Sequence, residues 1–236
     1  MSNWESFWSS NPDLFGTVME KNAAFFVEIL MNKNLIKSED SILDYGCGFG
    51  SLANQLKNRI GAYTGVDISE KCIHHCQQKF KDTRSFHFTT IDSGGAKSGL
   101  TEFIDQSNKF DAIIILSVIQ YFPNLDNVEN LLKDAKKLLS PGGKIILADV
   151  IQSEKGLWKD AYSNLKNSIQ KKYFLSFVQF MMKARFSNYN KFRIRNNLLN
   201  VSETEIARIC RNLELHYELL PVCTLQQSRV SYCITL

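Results

Sequence analysis

Asp44-Tyr45-Gly46-Cys47-Gly48-Phe49-Gly50 stands between a short apolar run, Ile42-Leu43, and a stretch of helical spacing from Leu52 to Ile60. Three glycines at alternate positions let a backbone turn tightly and approach a ligand closely, while the free N–H groups of the following helix face it. The next apolar run, Ala62-Tyr63-Thr64-Gly65-Val66, ends on Asp67, 17 residues past the last glycine. Strand, glycine loop, helix, strand is the punctuation of a parallel sheet covered on both faces. In such a sheet, a carboxylate at Asp67 stands across a crevice from the glycine loop, where it can accept hydrogen bonds from ribose hydroxyls. The pair implies an adenosine-containing cofactor.

The rhythm continues outward. Ser69 to Phe80 reads as a helix, Phe86 to Thr89 and Phe110 to Ser117 as strands, Val128 to Leu139 as a helix and Lys144 to Val150 as a fifth strand, with Pro141-Gly142-Gly143 as a turn. Upstream, Val18, Phe25, Phe26, Ile29 and Leu30 recur at helical spacing behind an Asn11-Pro12 turn. Between Ser153 and Asn200 a stripe of Trp158, Tyr162, Leu165, Ile169, Tyr173, Phe177 and Phe180 marks an inserted helical cap. Ser202 with Glu205 is a capping box that opens a short helix, and Leu213 to Val222 and Arg229 to Leu236 read as two closing strands.

Composition narrows the class. The chain has 236 residues, 22% charged and 44% hydrophobic, with a formal net charge of +4, which suits a globular domain and neither a disordered nor a fibrous chain. Its longest apolar stretch, Ala112 to Leu116, is far short of a membrane span. Met1 to Glu5 shows no basic and then apolar leader, so a cytoplasmic address is expected, with the six cysteines as reduced thiols. One domain over 1–236 is expected: an N-terminal helical lid (1–35), a cofactor-binding core (36–152), the cap (153–200), and the closing helix and strand pair (201–236).

Nicotinamide and flavin proteins use G-x-G-x-x-G, whose third glycine would fall at Ser51. The D-x-G-x-G-x-G spacing here resembles motif I of the class I S-adenosylmethionine-dependent methyltransferases. The resemblance extends through Asp67, Ile91-Asp92, Phe110-Asp111, Ser117 to Tyr121 and the Leu139 to Gly143 turn. It implies a doubly wound, seven-stranded, mostly parallel α/β sheet with an antiparallel C-terminal strand pair. It also implies S-adenosyl-L-methionine as cofactor. Gly46, Gly48 and Gly50 would lie against its methionine portion, Asp44 near its ammonium, and Asp67 on both ribose hydroxyls. Ile68 would pack the adenine, Asp92 would accept from its amine, and Ser117 and Gln120 would lie near the reactive methyl.

Methyl transfer is an in-line displacement at an already activated carbon, so the protein chiefly positions the nucleophile and excludes water. Should a general base assist a hydroxyl acceptor, Tyr121 and Asp149 are the candidates, with His87 behind them; His216 reads as structural. Cys72, His75 and Cys76 share a short helical stretch but have no second ligand pair, so no metal is expected. The aromatic front (Trp4, Phe7, Trp8, Phe15) and cap would fold over the crevice as a lid for an apolar small-molecule acceptor, methylated at oxygen or carbon.

The segment Ser153 to Asn196 carries ten basic and two acidic residues, a balance of +8, which suits an anionic acceptor, an acyl-carrier protein or a membrane surface. Ser117-Val118-Ile119-Gln120 is unlike the Asn/Asp-Pro-Pro-Tyr/Phe of amino-methylating nucleic acid enzymes, and no nucleic acid partner is expected. Alternatives are methylation of a protein or other macromolecule, or a cofactor-binding protein of the same fold without transfer.

Overall fold

The computed structural model describes residues 16–92, 99–100, 109–152, 198–225 and 228–236. The chain runs α1 (Gly16–Asn32), β1 (Ser41–Tyr45), α2 (Ser51–Leu56), β2 (Ala62–Asp67), α3 (Glu70–Lys79), β3 (Phe86–Thr90), β4 (Phe110–Leu116), a 3-10 turn (Ile119–Tyr121), α4 (Leu125–Leu138), β5 (Leu139–Val150), α5 (Glu203–Asn212), β6 (His216–Leu219) and β7 (Val230–Thr235). The strands form one sheet in the order β3-β2-β1-β4-β5-β7-β6. Pairing is parallel from β3 to β5 and antiparallel at β5–β7 and β7–β6. This is the doubly wound, seven-stranded α/β sheet with an antiparallel C-terminal pair that the resemblance implies.

Strand period 2 sends alternate residues to opposite faces, and each face has its own core. Leu43, Tyr45, Ile113, Ile115, Ile145 and Leu147 pack beneath α4 and α5. Ile42, Tyr63, Phe86, Phe88, Ala112 and Ile114 pack beneath α1, α2 and α3. Burial on both sides is why β4 reads as the uninterrupted run Ala112 to Ile115, each residue fully enclosed.

Local signals set the helix ends. Ser69 accepts from the Cys72 N–H, Asn124 from the Asn127 N–H, and Ser202 with Glu205 closes a complete capping box. The helix expected from Leu52 to Ile60 stops at Leu56, where Asn58 takes a left-handed φ of 63°. The Pro141-Gly142-Gly143 turn lies inside β5. Phe110 pairs with Leu139 and Ala112 with Lys144, so Ser140 to Gly143 loop out of a ladder that resumes beyond them. The closing strands are shorter than expected, four and six residues.

The lid residues Trp4, Phe7, Trp8 and Phe15, and residues 153–197 of the cap expected over 153–200, lie outside the described residues. Among the described residues, no helix is long and apolar enough to cross a membrane.

Candidate functional site

The strand order reverses between β1 and β4, and open α/β sheets bind ligands beyond the carboxyl ends of their strands at such a switch point. Two banks meet there. On one, the loop after β1 carries Gly46, Gly48 and Gly50 at φ of 82°, 52° and 74°, values that exclude comfortable side chains. A Cβ on Gly46 would come within 2.5 Å of the Val118 side chain, so the loop presses against the turn that follows β4. A Cβ on Gly48 would meet nothing within 4 Å, leaving open space beside that backbone.

Asp67 spans the crevice from the end of β2. One carboxylate oxygen accepts from the Gly48 N–H at 2.9 Å and the other from the Ser69 N–H at 2.9 Å. Burial raises its pKa, and those backbone donors work against the rise. The Ile68 N–H acts on the same carboxylate, which with about four lone-pair sites keeps acceptor capacity for a ligand hydroxyl. Ile68 packs beside it on the α4 side. Asp92 is exposed just past β3, where the neighbouring Ile91 N–H donates to the Asp67 carbonyl at 3.0 Å.

Asp44 is 2% exposed and accepts from the Tyr63 hydroxyl. Desolvation lifts its pKa to about 7 against the pull of that hydrogen bond, with the Asp67 charge adding to the rise. Nothing adjacent to Asp44 in sequence announces Tyr63; the signal was that a tyrosine inside a buried strand needs a partner for its hydroxyl.

The other bank is built from side chains. Ser117 and Asp149, at the carboxyl ends of β4 and β5, both hold left-handed backbone, φ 59° and 64°. The Ser117 hydroxyl donates to Asp149 at 2.6 Å, the Thr224 hydroxyl donates to the other Asp149 oxygen at 3.3 Å, and the Asp149 N–H reaches the Ser231 hydroxyl at 3.4 Å. A register shift against β7 between Leu147 and Val150 places Asp149 at an irregularity in the ladder, a device that re-aims a side chain. Asp149 is 7% exposed. Gln120 donates from Nε2 to the Ser117 carbonyl at 2.8 Å, and its backbone carbonyl accepts from the Leu199 N–H at 2.9 Å. Tyr121 closes the 3-10 turn, half-buried.

Thr224 and Ser231 gave no signal in the sequence, because they meet Asp149 only through the fold, 75 and 82 residues away. His87 is exposed on β3 and His216 on β6, both away from the crevice. Cys72 and Cys76 turn into the core while His75 stays exposed with its ring edge-on to Phe49. Among the described residues, no group of three or more metal-ligating side chains converges.

The seven-stranded sheet of this order, with its antiparallel closing pair, is the Rossmann-like methyltransferase fold. Residues 43–145 match the family described as a methyltransferase domain. It is 33% identical over 111 residues to a probable non-canonical nonribosomal peptide synthetase, CymA, of Salinispora arenicola, covering 46% of this chain and 1% of that protein. It is 25% identical over 114 residues to a demethylmenaquinone methyltransferase of Tropheryma whipplei, covering 48% and 43%. Among solved structures, magnesium protoporphyrin IX methyltransferase from Synechocystis PCC 6803, with bound S-adenosylhomocysteine, shares the fold at TM-score 0.56 and 18% identity, over 92% of this chain and 82% of that one. The chain spans less than half the length of these curated relatives.

Proposed function

We propose that this chain is an S-adenosylmethionine-dependent methyltransferase that alkylates a small molecule at oxygen or carbon. The observation that carries the reading is the Asp67 carboxylate, held by the Gly48 and Ser69 N–H groups with acceptor capacity to spare. It suits a ribose diol beside a loop whose glycines admit close backbone approach. The residues present fit the cofactor. Asp67 would hold the ribose, Gly46, Gly48 and Gly50 the methionine portion, Asp44 its ammonium, and Ile68 and Asp92 the adenine. When bound, S-adenosylmethionine supplies a methyl group already activated by its sulfonium. The chain's own work is then to orient the acceptor and exclude water.

Ser117 and Gln120 would line the reacting end. Tyr121 and Asp149 remain the candidate bases, and the two hydroxyls already donating to Asp149 favour a positioning part for it. An acceptor tethered to a carrier protein is a specific form of this reading. It is supported by the similarity to a peptide synthetase and by the +8 balance between Ser153 and Asn196.

Calorimetry tests the assignment. The protein should bind S-adenosylmethionine and S-adenosylhomocysteine but not NAD. Asp67→Ala should weaken S-adenosylhomocysteine by about 1.5–3 kcal/mol, the loss of a charge-assisted hydrogen bond. Unchanged affinity in that variant would overturn the ribose assignment.

A further inference from the structure

The side-chain network on the β4–β5 bank is satisfied link by link until its last atom. Thr224 and Ser117 hold Asp149, and the Ser117 carbonyl holds the Gln120 Nε2. Gln120 is 6% exposed, and its Oε1 is shut off from solvent with no hydrogen-bond partner among the described residues. The orientation of the amide is not arbitrary. The Ser117 carbonyl can only accept, so the atom facing it must be the nitrogen, and the lone atom must be the oxygen.

A buried acceptor without a donor costs about 1–3 kcal/mol, and few such groups survive in folded proteins without a use. Gln120 is also held in place at considerable expense. Its neighbour Ser117 sits in strained left-handed backbone fixed by Asp149, and strain of this kind gathers at functional sites.

The location says which end of a ligand this oxygen would meet. Asp67 and Asp92 lie beyond β2 and β3, on the side of the crevice suited to adenosine. Gln120 lies beyond β4, on the far side of the glycine loop, in the turn whose Val118 presses on Gly46. On the proposed cofactor reading, on which this inference rests, that is the reacting end.

We propose that Gln120 is a specificity-determining residue: its Oε1 accepts a hydrogen bond from a donor at the methyl-transfer position, so the favoured methyl acceptor bears a hydroxyl at the atom to be methylated. The donor displaces atoms that make no hydrogen bond with Oε1, so no hydrogen bond of Oε1 is lost on binding. A nucleophile without hydrogen, such as a tertiary amine or a thioether, would leave the oxygen unpaired and be disfavoured, because a site built to receive a donor rejects its absence strongly.

Sinefungin provides the probe, since it carries an amino group where S-adenosylmethionine carries its transferable methyl. Dissociation constants for sinefungin and S-adenosylhomocysteine are measured by calorimetry on the parent, on Gln120→Met and on Gln120→Glu, with thermal melting to confirm folding. Gln120→Met should weaken sinefungin roughly tenfold or more relative to S-adenosylhomocysteine, the equivalent of one charge-assisted hydrogen bond. Gln120→Glu, which sets a carboxylate before the amine, should tighten sinefungin relative to S-adenosylhomocysteine. Either shift alone supports the inference, so one variant that fails to fold does not shield it. Equal changes in both ligands would place Gln120 at the amino-acid end of the cofactor and overturn the inference while leaving the methyltransferase reading intact. Parent protein that binds neither ligand would overturn both.

Discussion

The two banks of the crevice reach the same backbone conformation by opposite means. On the β1 side, left-handed φ values fall on Gly46, Gly48 and Gly50, which adopt them without steric cost. On the β4–β5 side they fall on Ser117 and Asp149, whose Cβ atoms make the conformation unfavourable by about 1–3 kcal/mol each. Those two residues stay there because Thr224, Ser231 and Gln120 join them in a hydrogen-bonded network. One bank is shaped by what its residues lack and the other by what their side chains do. The first admits a ligand's backbone-like contacts; the second fixes functional groups in place.

Substitutions should separate the banks sharply. Gly46→Ala places a Cβ 2.5 Å from the Val118 side chain at a φ of 82°, combining overpacking of about 1–3 kcal/mol with left-handed strain of about 1–2 kcal/mol. Urea unfolding should show a loss of up to about 5 kcal/mol, together with loss of S-adenosylhomocysteine binding. Adding Val118→Ala should return the overpacking part and leave the strain. Were the double variant no more stable than Gly46→Ala, contact between the two banks would not be what limits that position.

The next effect belongs to the glycine bank and appears with pH. Burial lifts Asp44 from 3.8 to about 7 and raises Asp67 as well, so between about pH 4 and 7 the folded protein holds protons that the unfolded chain has released. Stability of the ligand-free protein therefore falls as pH rises through that window, by about 2 kcal/mol between pH 5 and 7 from Asp44. Asp44→Asn should flatten most of this slope in melts at pH 5, 6 and 7. An unaltered slope in the variant would remove Asp44 as its source.

The smallest effect tests the strained bank. Ser117→Ala keeps the strained φ but leaves one Asp149 oxygen without its hydroxyl donor, and should cost about 1–3 kcal/mol. Ser117→Gly loses the same bond but relieves the backbone, so it should be more stable than the alanine variant by about 0.4–1 kcal/mol or more. Equal stability of the two variants would mean the left-handed backbone stores no strain.

The same contrast explains what could be read from the sequence. The glycine bank was legible because its chemistry is local: three glycines in five residues between a strand and a helix, and an acidic residue at the end of the next strand. The sheet was legible too, since burial on both faces prints runs such as Ala112 to Leu116. The Pro141 to Gly143 turn was visible, but its place as a loop within a continuing ladder depends on the partner strand β4. The strained bank was only half legible. Ser117, Gln120 and Asp149 could be singled out as strand-end polar residues, but the support that Asp149 draws from Thr224 and Ser231 depends on the antiparallel return of the chain along β5. The same holds for Tyr63, whose hydroxyl donates to the buried Asp44 across a strand boundary.

The six buried cysteines give the molecule an internal clock. Burial pushes the Cys72 thiol up to about 12 and Cys210 to about 11, and the Cys76 thiol, together with burial, raises Cys47. A soluble thiol reagent can therefore react only in moments when the surrounding structure opens. The cysteines are spread over the glycine loop, α3, α5, the segment before β7 and β7 itself. The order in which they are labelled in the native protein, read by mass spectrometry, would time the transient opening of each part of the fold without any introduced probe.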